Sequence, residues 1–296
     1  MGQNTDNSVR FVKSAIISCS RRTDIPAFLM DWVMEKMKLG QVDVVNPFNR
    51  SQIYRVSLKP EDVKCWVWWS KDFKKWIDAY VSHQQLFKLY KGHCFQFTIN
   101  SPSELEGSIN ASLEYRFKQL SWLINEFGLL SVNFRFDPII IYKKKDSNEI
   151  KSNLDRFDYI IKNTAFLGLR EMIFSFATIY PKVKNRMNSR GYVPIDLNFK
   201  KKKEILAKLM KVCDEYDMKM KACCQPDLLE IKGIEQAHCI DAYKIEKLIG
   251  EPIPKILDKG QRAACGCFKS KDIGGYIGIF RCKHNCAYCY ASPAKR

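Results

Sequence analysis

Three cysteines near the end of the chain, Cys282, Cys286 and Cys289, lie in Arg-Cys-Lys-His-Asn-Cys-Ala-Tyr-Cys-Tyr. The spacing is C-x3-C-x2-C, with Tyr288 just before the last thiol. A loop this short can wrap three thiolates around one face of a 4Fe–4S cluster, leaving the fourth iron without a protein ligand. An open metal position separates a reactive centre from a structural one. Zinc is the rival metal, because Cys265 and Cys267 could supply a fourth thiolate for a closed tetrahedral site. His284, inside the loop, reads as a solvent-exposed side chain rather than a ligand.

A second set of thiols lies upstream: Cys223, Cys224, Cys239, Cys265 and Cys267. Cys239, Cys265 and Cys267, with one of Cys223 and Cys224, could hold a second 4Fe–4S cluster or a zinc ion. Cys223 and Cys224 also fit the bland reading, the apolar end of a buried strand. Cys19, Cys65, Cys94 and Cys213 fall within expected strands or a helix and read as buried structural thiols.

The elements that must position these groups alternate between strand and helix patterns. Apolar runs predict strands at Ala15–Cys19, Val42–Val45, Cys65–Trp69, Cys94–Ile99, Val132–Phe136, Met172–Ala177, Met218–Ala222 and Tyr276–Phe280. Helical patterns lie at Ala27–Leu39, Phe73–Tyr90, Ile109–Phe127, Leu154–Leu167 and Lys201–Tyr216. Asn46–Leu58 shows no helix, so the second unit reads as irregular. Continuous apolar strands suit a parallel sheet covered on both faces. The expected fold is α/β: a TIM-like (β/α) barrel, complete or partial, over residues 1–296, with a cysteine-rich metal-binding region at 223–296. A doubly wound open sheet is the alternative.

In such folds the functional groups stand at the carboxyl ends of the strands. Here those positions carry Arg21, Arg22 and Asp24 after the first strand and Asn46 after the second. Arg135 and Asp137 follow in the fifth, and Cys223 and Cys224 after the seventh. Asp24 suits a helix N-cap, with Pro26 in the first turn. Arg21 and Arg22 beside that helix start suggest an anion cradle. Arg135 and Asp137 read as a buried ion pair or as substrate contacts. Trp66, Trp68 and Trp69 read mostly as core, with one of them available as a stacking wall.

The chain has 296 residues, of which 46% are hydrophobic, so a sizeable core is available. No segment matches a membrane span of about 18 apolar residues. Met1–Arg10 is polar and lacks a signal-peptide core, so the expectation is a soluble, cytoplasmic protein. Half of the 12 cysteines follow residue 238, a clustering that favours metal over disulfides. A formal charge of +17 permits nucleic acid or another anionic partner, although Lys143–Lys145 and Lys200–Lys203 also read as solvated faces.

Several segments together resemble bacterial proteins of the domain-of-unknown-function 1848 family. They are Ser-Cys-Ser-Arg-Arg-Thr-Asp-Ile-Pro-Ala (18–27), Asn46-Pro47-Phe48, Phe134-Arg135-Phe136-Asp137-Pro138, Gln261–Cys267, Ser270–Gly274 and the terminal Cys-x3-Cys-x2-Cys-Tyr-Ala. The resemblance spans nearly the whole chain and by itself implies no activity. Separately, the terminal loop is similar to the cluster loop of radical S-adenosylmethionine enzymes. That resemblance implies a 4Fe–4S cluster on Cys282, Cys286 and Cys289, S-adenosylmethionine on its open iron, and an electron donor such as flavodoxin or ferredoxin. In that superfamily the loop follows the first strand, so its place here implies a circularly permuted barrel. Arg21, Arg22, Asp24, Asn46, Arg135 and Asp137 are then the candidate cofactor-binding residues.

Three readings follow. The first is a radical enzyme acting on an anionic substrate. The second is a zinc or iron–sulfur protein that binds nucleic acid through its basic surface. The third is electron transfer or redox sensing through two clusters. No Gly-x-Gly-x-x-Gly or P-loop supports a dinucleotide or nucleotide site.

Overall fold

The computed structural model describes residues 9–47 and 49–291; the polar segment before residue 9 and Phe48 of the Asn46–Asn49 loop lie outside them. Its centre is an eight-stranded, all-parallel sheet. In chain order its strands are β1 (Ile16–Cys19), β2 (Cys65–Ser70), β3 (Gly92–Thr98), β4 (Val132–Ile139), β5 (Glu171–Phe176), β6 (Lys219–Ala222), β7 (Ile234–Gln236) and β8 (Lys271–Asp272). In space the order is β8-β1-β2-β3-β4-β5-β6-β7. Each strand from β1 to β7 therefore lies beside its predecessor, and the last strand joins the first. Among the described residues β7 and β8 are not paired with each other. This is a singly wound order, unlike the reversal that marks a doubly wound sheet.

One face of the sheet is covered by helices. Ile17, Trp66, Trp68, Phe95, Phe97, Phe134 and Phe174 alternate onto that face and are fully buried there. They meet Val33, Trp76, Leu120, Ile160 and Leu206 from the helices Met30–Leu39, Lys74–Ser82, Leu113–Phe127, Phe157–Phe166 and Phe199–Asp214. Burying one such aromatic side chain contributes roughly 2–3 kcal/mol, so this face dominates the stability. Strand alternation sends Ser18, Trp69, Gln96, Arg135 and Ser175 to the opposite face, where polar groups gather.

Several sequence expectations are corrected. Val42–Val45 is a strand (Gln41–Val45), but it pairs with Ile53–Ser57 in a separate three-stranded sheet. The Asn46–Leu58 region is thus a hairpin rather than an irregular unit. Tyr276–Phe280 is not a strand: Gly278–Phe280 forms a 3-10 turn, and Ile277 and Ile279 are exposed. Gly278 takes φ +61, which bends the chain where a strand would continue. The strand beside β1 is instead Lys271–Asp272. The Ala27–Leu39 helix is split at Leu29 into Ile25–Phe28 and Met30–Leu39. Those expectations also lack several elements, among them β7, the helix Pro181–Ser189 and the helix Ala242–Ile249. No described helix is long and apolar enough to cross a membrane.

Candidate metal centres and cavity

The carboxyl ends of the sheet strands open into one cavity of about 750 Å³. That size falls in the usual range for small-molecule sites. Ser20 and Arg21 reach it from β1, Trp69 from β2, Thr98 from β3, Asp137 from β4 and Ser175 from β5. Cys223, Cys239 and Asp272 reach it from β6, β7 and β8.

Asp272 organises the first of these ends. Its carboxylate accepts from Ser18 Oγ (2.9 Å), Ser20 Oγ (2.7 Å), Arg21 N–H (2.8 Å) and Gly274 N–H (2.9 Å). A Cβ on Gly274 would sit 2.0 Å from Ser20 Oγ, so the close approach requires glycine. Arg21 then runs toward Ser270 and Asp258, while Arg22 donates to the Gly274 carbonyl (3.0 Å) and lies over Tyr276. Both arginines line the cavity. At the helix start the Asp24 side chain is the expected N-cap, accepting from Ala27 N–H at 3.0 Å, so it is the two guanidiniums rather than the helix end that border the cavity.

Arg135, on β4, is 4% exposed and lies on the polar face of the sheet. It pairs with Asp137 and donates to Cys239 Sγ at 2.9 Å. Asp137 also accepts from Ser175 Oγ. Burial opposes the charge of Arg135, but Cys239 and Asp137 outweigh it and hold the guanidinium protonated well beyond its ordinary range. Arg21 is likewise raised: burial lowers it, and Cys267, Asp272 and Asp258 outweigh the burial. Of the three tryptophans Trp69 borders the cavity: Arg21 and Arg135 lie 5.5 and 5.3 Å from its ring centroid, and its Nε1 donates to Ser18 Oγ. Trp66 and Trp68 are core.

The upstream thiols converge. Cys223 and Cys239 sulfurs are 3.5 Å apart. Side-chain contacts also join Cys223 to Cys224, Cys224 to Cys265, Cys265 to Cys267 and Cys267 to Cys239. The five sulfurs thus close a ring. The Cys224 contact pushes Cys223 up to about 12. Contacts with Cys239 and Cys265, with Arg21 beside it, pull Cys267 far below the ordinary thiol range. Among the described residues no three His, Cys, Asp or Glu side chains already form a metal shell. The donor set nevertheless fits a thiolate-bound metal: all soft sulfur, with arginine N–H groups aimed at it.

The terminal loop is held from several sides. His284 is buried, not solvent-exposed, and its Nε2–H donates to Asp24 Oδ2 at 2.8 Å. The same oxygen accepts from Ser70 Oγ and Lys71 N–H. Arg190 donates to the Asn285 carbonyl at 2.7 Å, Ala287 N–H donates to Leu105 O, and Arg186 donates to the Cys289 carbonyl. Tyr288 OH donates to Glu106, which also accepts from Lys71 Nζ at 2.8 Å and from Asn100 Nδ2 at 2.9 Å. Cys289 lines the cavity; Cys282 and Cys286 are not among its lining residues. Burial pushes Cys282 up to about 11 and Cys286 well above its ordinary range.

Of the sequence candidates, Arg21, Arg22, Arg135, Asp137, Cys223, Cys224, Cys239, Cys265, Cys267 and Cys289 border one space. Asp24 and Asn46 do not. Asp24 is occupied as a cap and loop anchor, and Asn46 donates to Gln52 across its hairpin. Cys65 and Cys94 touch each other at 3.6 Å within the sheet, and Cys19 and Cys213 are buried, as expected of structural thiols. Sequence reasoning missed Asp272 and Glu106. Asp272 stood within the Ser270–Gly274 motif, which was its only signal; Glu106 had none.

No curated protein and no solved structure matches the chain. One family model does, over residues 16–291. That match covers nearly the whole chain, including every strand of the central sheet and both sets of thiols. The chain therefore belongs to the family described as domain of unknown function (DUF1848).

Proposed function

We propose that this protein is a radical S-adenosylmethionine enzyme built on an incompletely closed, circularly permuted barrel. The observation that carries the reading is the place of β8. It precedes the three-cysteine loop in the chain yet stands at the first edge of the sheet, ahead of β1. Cys289 then faces the same cavity as Arg21, Arg22, Arg135 and Asp137. Barrel-like curvature is supported by side chains that span the concave face, where Arg135 and Gln96 from β4 and β3 both reach Cys239 after β7.

Cys282, Cys286 and Cys289 would hold a 4Fe–4S cluster. When bound and reduced by a donor such as flavodoxin or ferredoxin, that group would supply one-electron reductive chemistry toward S-adenosylmethionine. The chain's own residues bind and orient. Arg21 and Arg22 suit the carboxylate of the cofactor, Trp69 offers an aromatic face, and Asp137 is an acceptor for a hydroxyl or amino group. Lys182 and Arg262, at the same cavity, favour an anionic substrate. The test is anaerobic incubation of reconstituted, dithionite-reduced protein with S-adenosylmethionine. 5′-Deoxyadenosine should form and should vanish with Cys289→Ala; no product from the parent protein would sink the reading.

A second reading, nucleic-acid binding through the basic surface, rests on 49 Lys and Arg against 32 Asp and Glu. It requires affinity that falls steeply as salt rises. Binding that is flat between low and moderate salt removes it.

A further inference from the structure

We infer that the five-thiol ring is a second metal centre that ties the open edge of the sheet, with Cys223, Cys239, Cys265 and Cys267 as ligands and Cys224 as a spare thiol. Thiolate coordination is the common chemistry; a zinc ion and an iron–sulfur cluster are its two sources.

The location argues for it. Among the described residues the sheet has no ladder between β7 and β8. Cys239 follows β7, and Cys265 and Cys267 precede β8. Instead of a ladder, the gap is bridged by single contacts: Phe268 N–H donates to Ile240 O at 3.0 Å, and His238 Nδ1 meets Gly266 O at 2.5 Å. A Cβ on Gly266 would lie 2.9 Å from the His238 ring, so the glycine between the two thiols permits this approach. A centre bound here would join the ends of β6 and β7 to the approach to β8, where hydrogen bonding alone is sparse.

The backbone and the charges agree. Successive strand residues point to opposite faces. Cys224, however, takes φ +54, a left-handed conformation that a cysteine rarely adopts, and this turn brings it into the same ring as Cys223. One buried guanidinium, Arg135, and one part-buried guanidinium, Arg21, serve the ring. Arg135 donates to Cys239 at 2.9 Å, and Arg21 contacts Cys267. A buried guanidinium calls for an anionic partner, and thiolates are the form in which cysteine binds metal. N–H donors to ligating sulfurs are the usual outer partners of such centres. Cys223 is chosen over Cys224 as fourth ligand because its sulfur lies 3.5 Å from Cys239, which Arg135 holds.

The centre stands or falls separately from chemistry at the terminal loop. The experiment uses the full chain carrying Cys282→Ala, Cys286→Ala and Cys289→Ala, purified anaerobically, with zinc, iron and acid-labile sulfide measured. Stoichiometric zinc, or iron with matching sulfide, that is lost on adding Cys239→Ser and Cys267→Ser supports the centre and names its metal. Absence of both metals from the folded triple variant overturns it. Should that variant not fold, the unaltered chain is alkylated before and after chelation. Labelling of Cys239 and Cys267 that rises on chelation supports the centre, and labelling that is unchanged overturns it. Metal loss with Cys223→Ser but not with Cys224→Ser supports the ligand assignment; the reverse pattern overturns it.

Discussion

Arg135 Nη1 donates to Cys239 Sγ at 2.9 Å while the same guanidinium pairs with Asp137. One arginine thus links β4 to the segment after β7, across the polar face of the sheet. It pairs with the Asp137 carboxylate and gives the buried Cys239 sulfur a hydrogen-bond donor.

Removing that charge should be expensive. Arg135→Leu leaves Asp137 and the thiol ring without their cation, and we expect a loss of about 3–5 kcal/mol in urea unfolding. Arg135→Lys keeps the charge but not the two-sided donor geometry and should recover only part of it. A Leu variant as stable as the parent would show that the pair contributes nothing.

Asp24 and His284 should act together on the terminal loop. Asp24→Ala removes a helix cap, worth about 1 kcal/mol, and strips buried Lys71 N–H and His284 of their acceptor, at about 1–3 kcal/mol each. His284→Ala should cost less overall. Both substitutions should raise amide hydrogen exchange across residues 282–289. Unchanged exchange there in both variants would show that the 2.8 Å contact does not hold the loop.

His93 predicts a pH dependence of stability. Its Nδ1 accepts from Trp68 Nε1–H at 3.1 Å, and its Nε2–H donates to the Phe87 carbonyl at 3.0 Å. Trp68 can only donate and Phe87 O can only accept, so the neutral ring is the form that satisfies both. Burial lowers its pKa from 6.5 to about 4. The unfolded chain takes up this proton near 6.5 and the folded chain only near 4. Stability is therefore full above pH 6.5 and drains as pH falls through that window, by about 3 kcal/mol in total. His93→Gln should flatten that part of the melting-temperature profile; an unaltered slope would place its origin elsewhere.

Much of the fold was legible because the central strands are bulky and apolar. Trp66, Trp68, Phe95, Phe97 and Phe134 mark β2, β3 and β4 plainly. Gln41–Val45 was legible as a strand but not as a member of the small sheet. Its alternation of exposed and buried residues is the mark of a half-exposed antiparallel strand, against the continuous burial of β1. Tyr276–Phe280 misled because apolar content alone does not fix a strand when Gly275 and Gly278 interrupt it. The true edge strand was hidden by chemistry: two residues long, it buries Asp272 to accept four hydrogen bonds.

The site was legible as types and spacing, not as geometry. Spacing singled out both thiol sets, and strand ends singled out Arg21, Arg22, Arg135 and Asp137. It could not show that Asp24 is occupied by the loop it anchors, nor that His284 is buried. Those facts depend on the chain ends meeting through the pairing of β8 with β1, 254 positions apart at Ser18 and Asp272.

The most direct test of the account is EPR of the anaerobically purified, dithionite-reduced protein, recorded with and without S-adenosylmethionine. An open iron on Cys282, Cys286 and Cys289 predicts a cluster signal that shifts when the cofactor is added and disappears with Cys286→Ala. A signal indifferent to S-adenosylmethionine, or a chain that carries zinc and no iron, would contradict it.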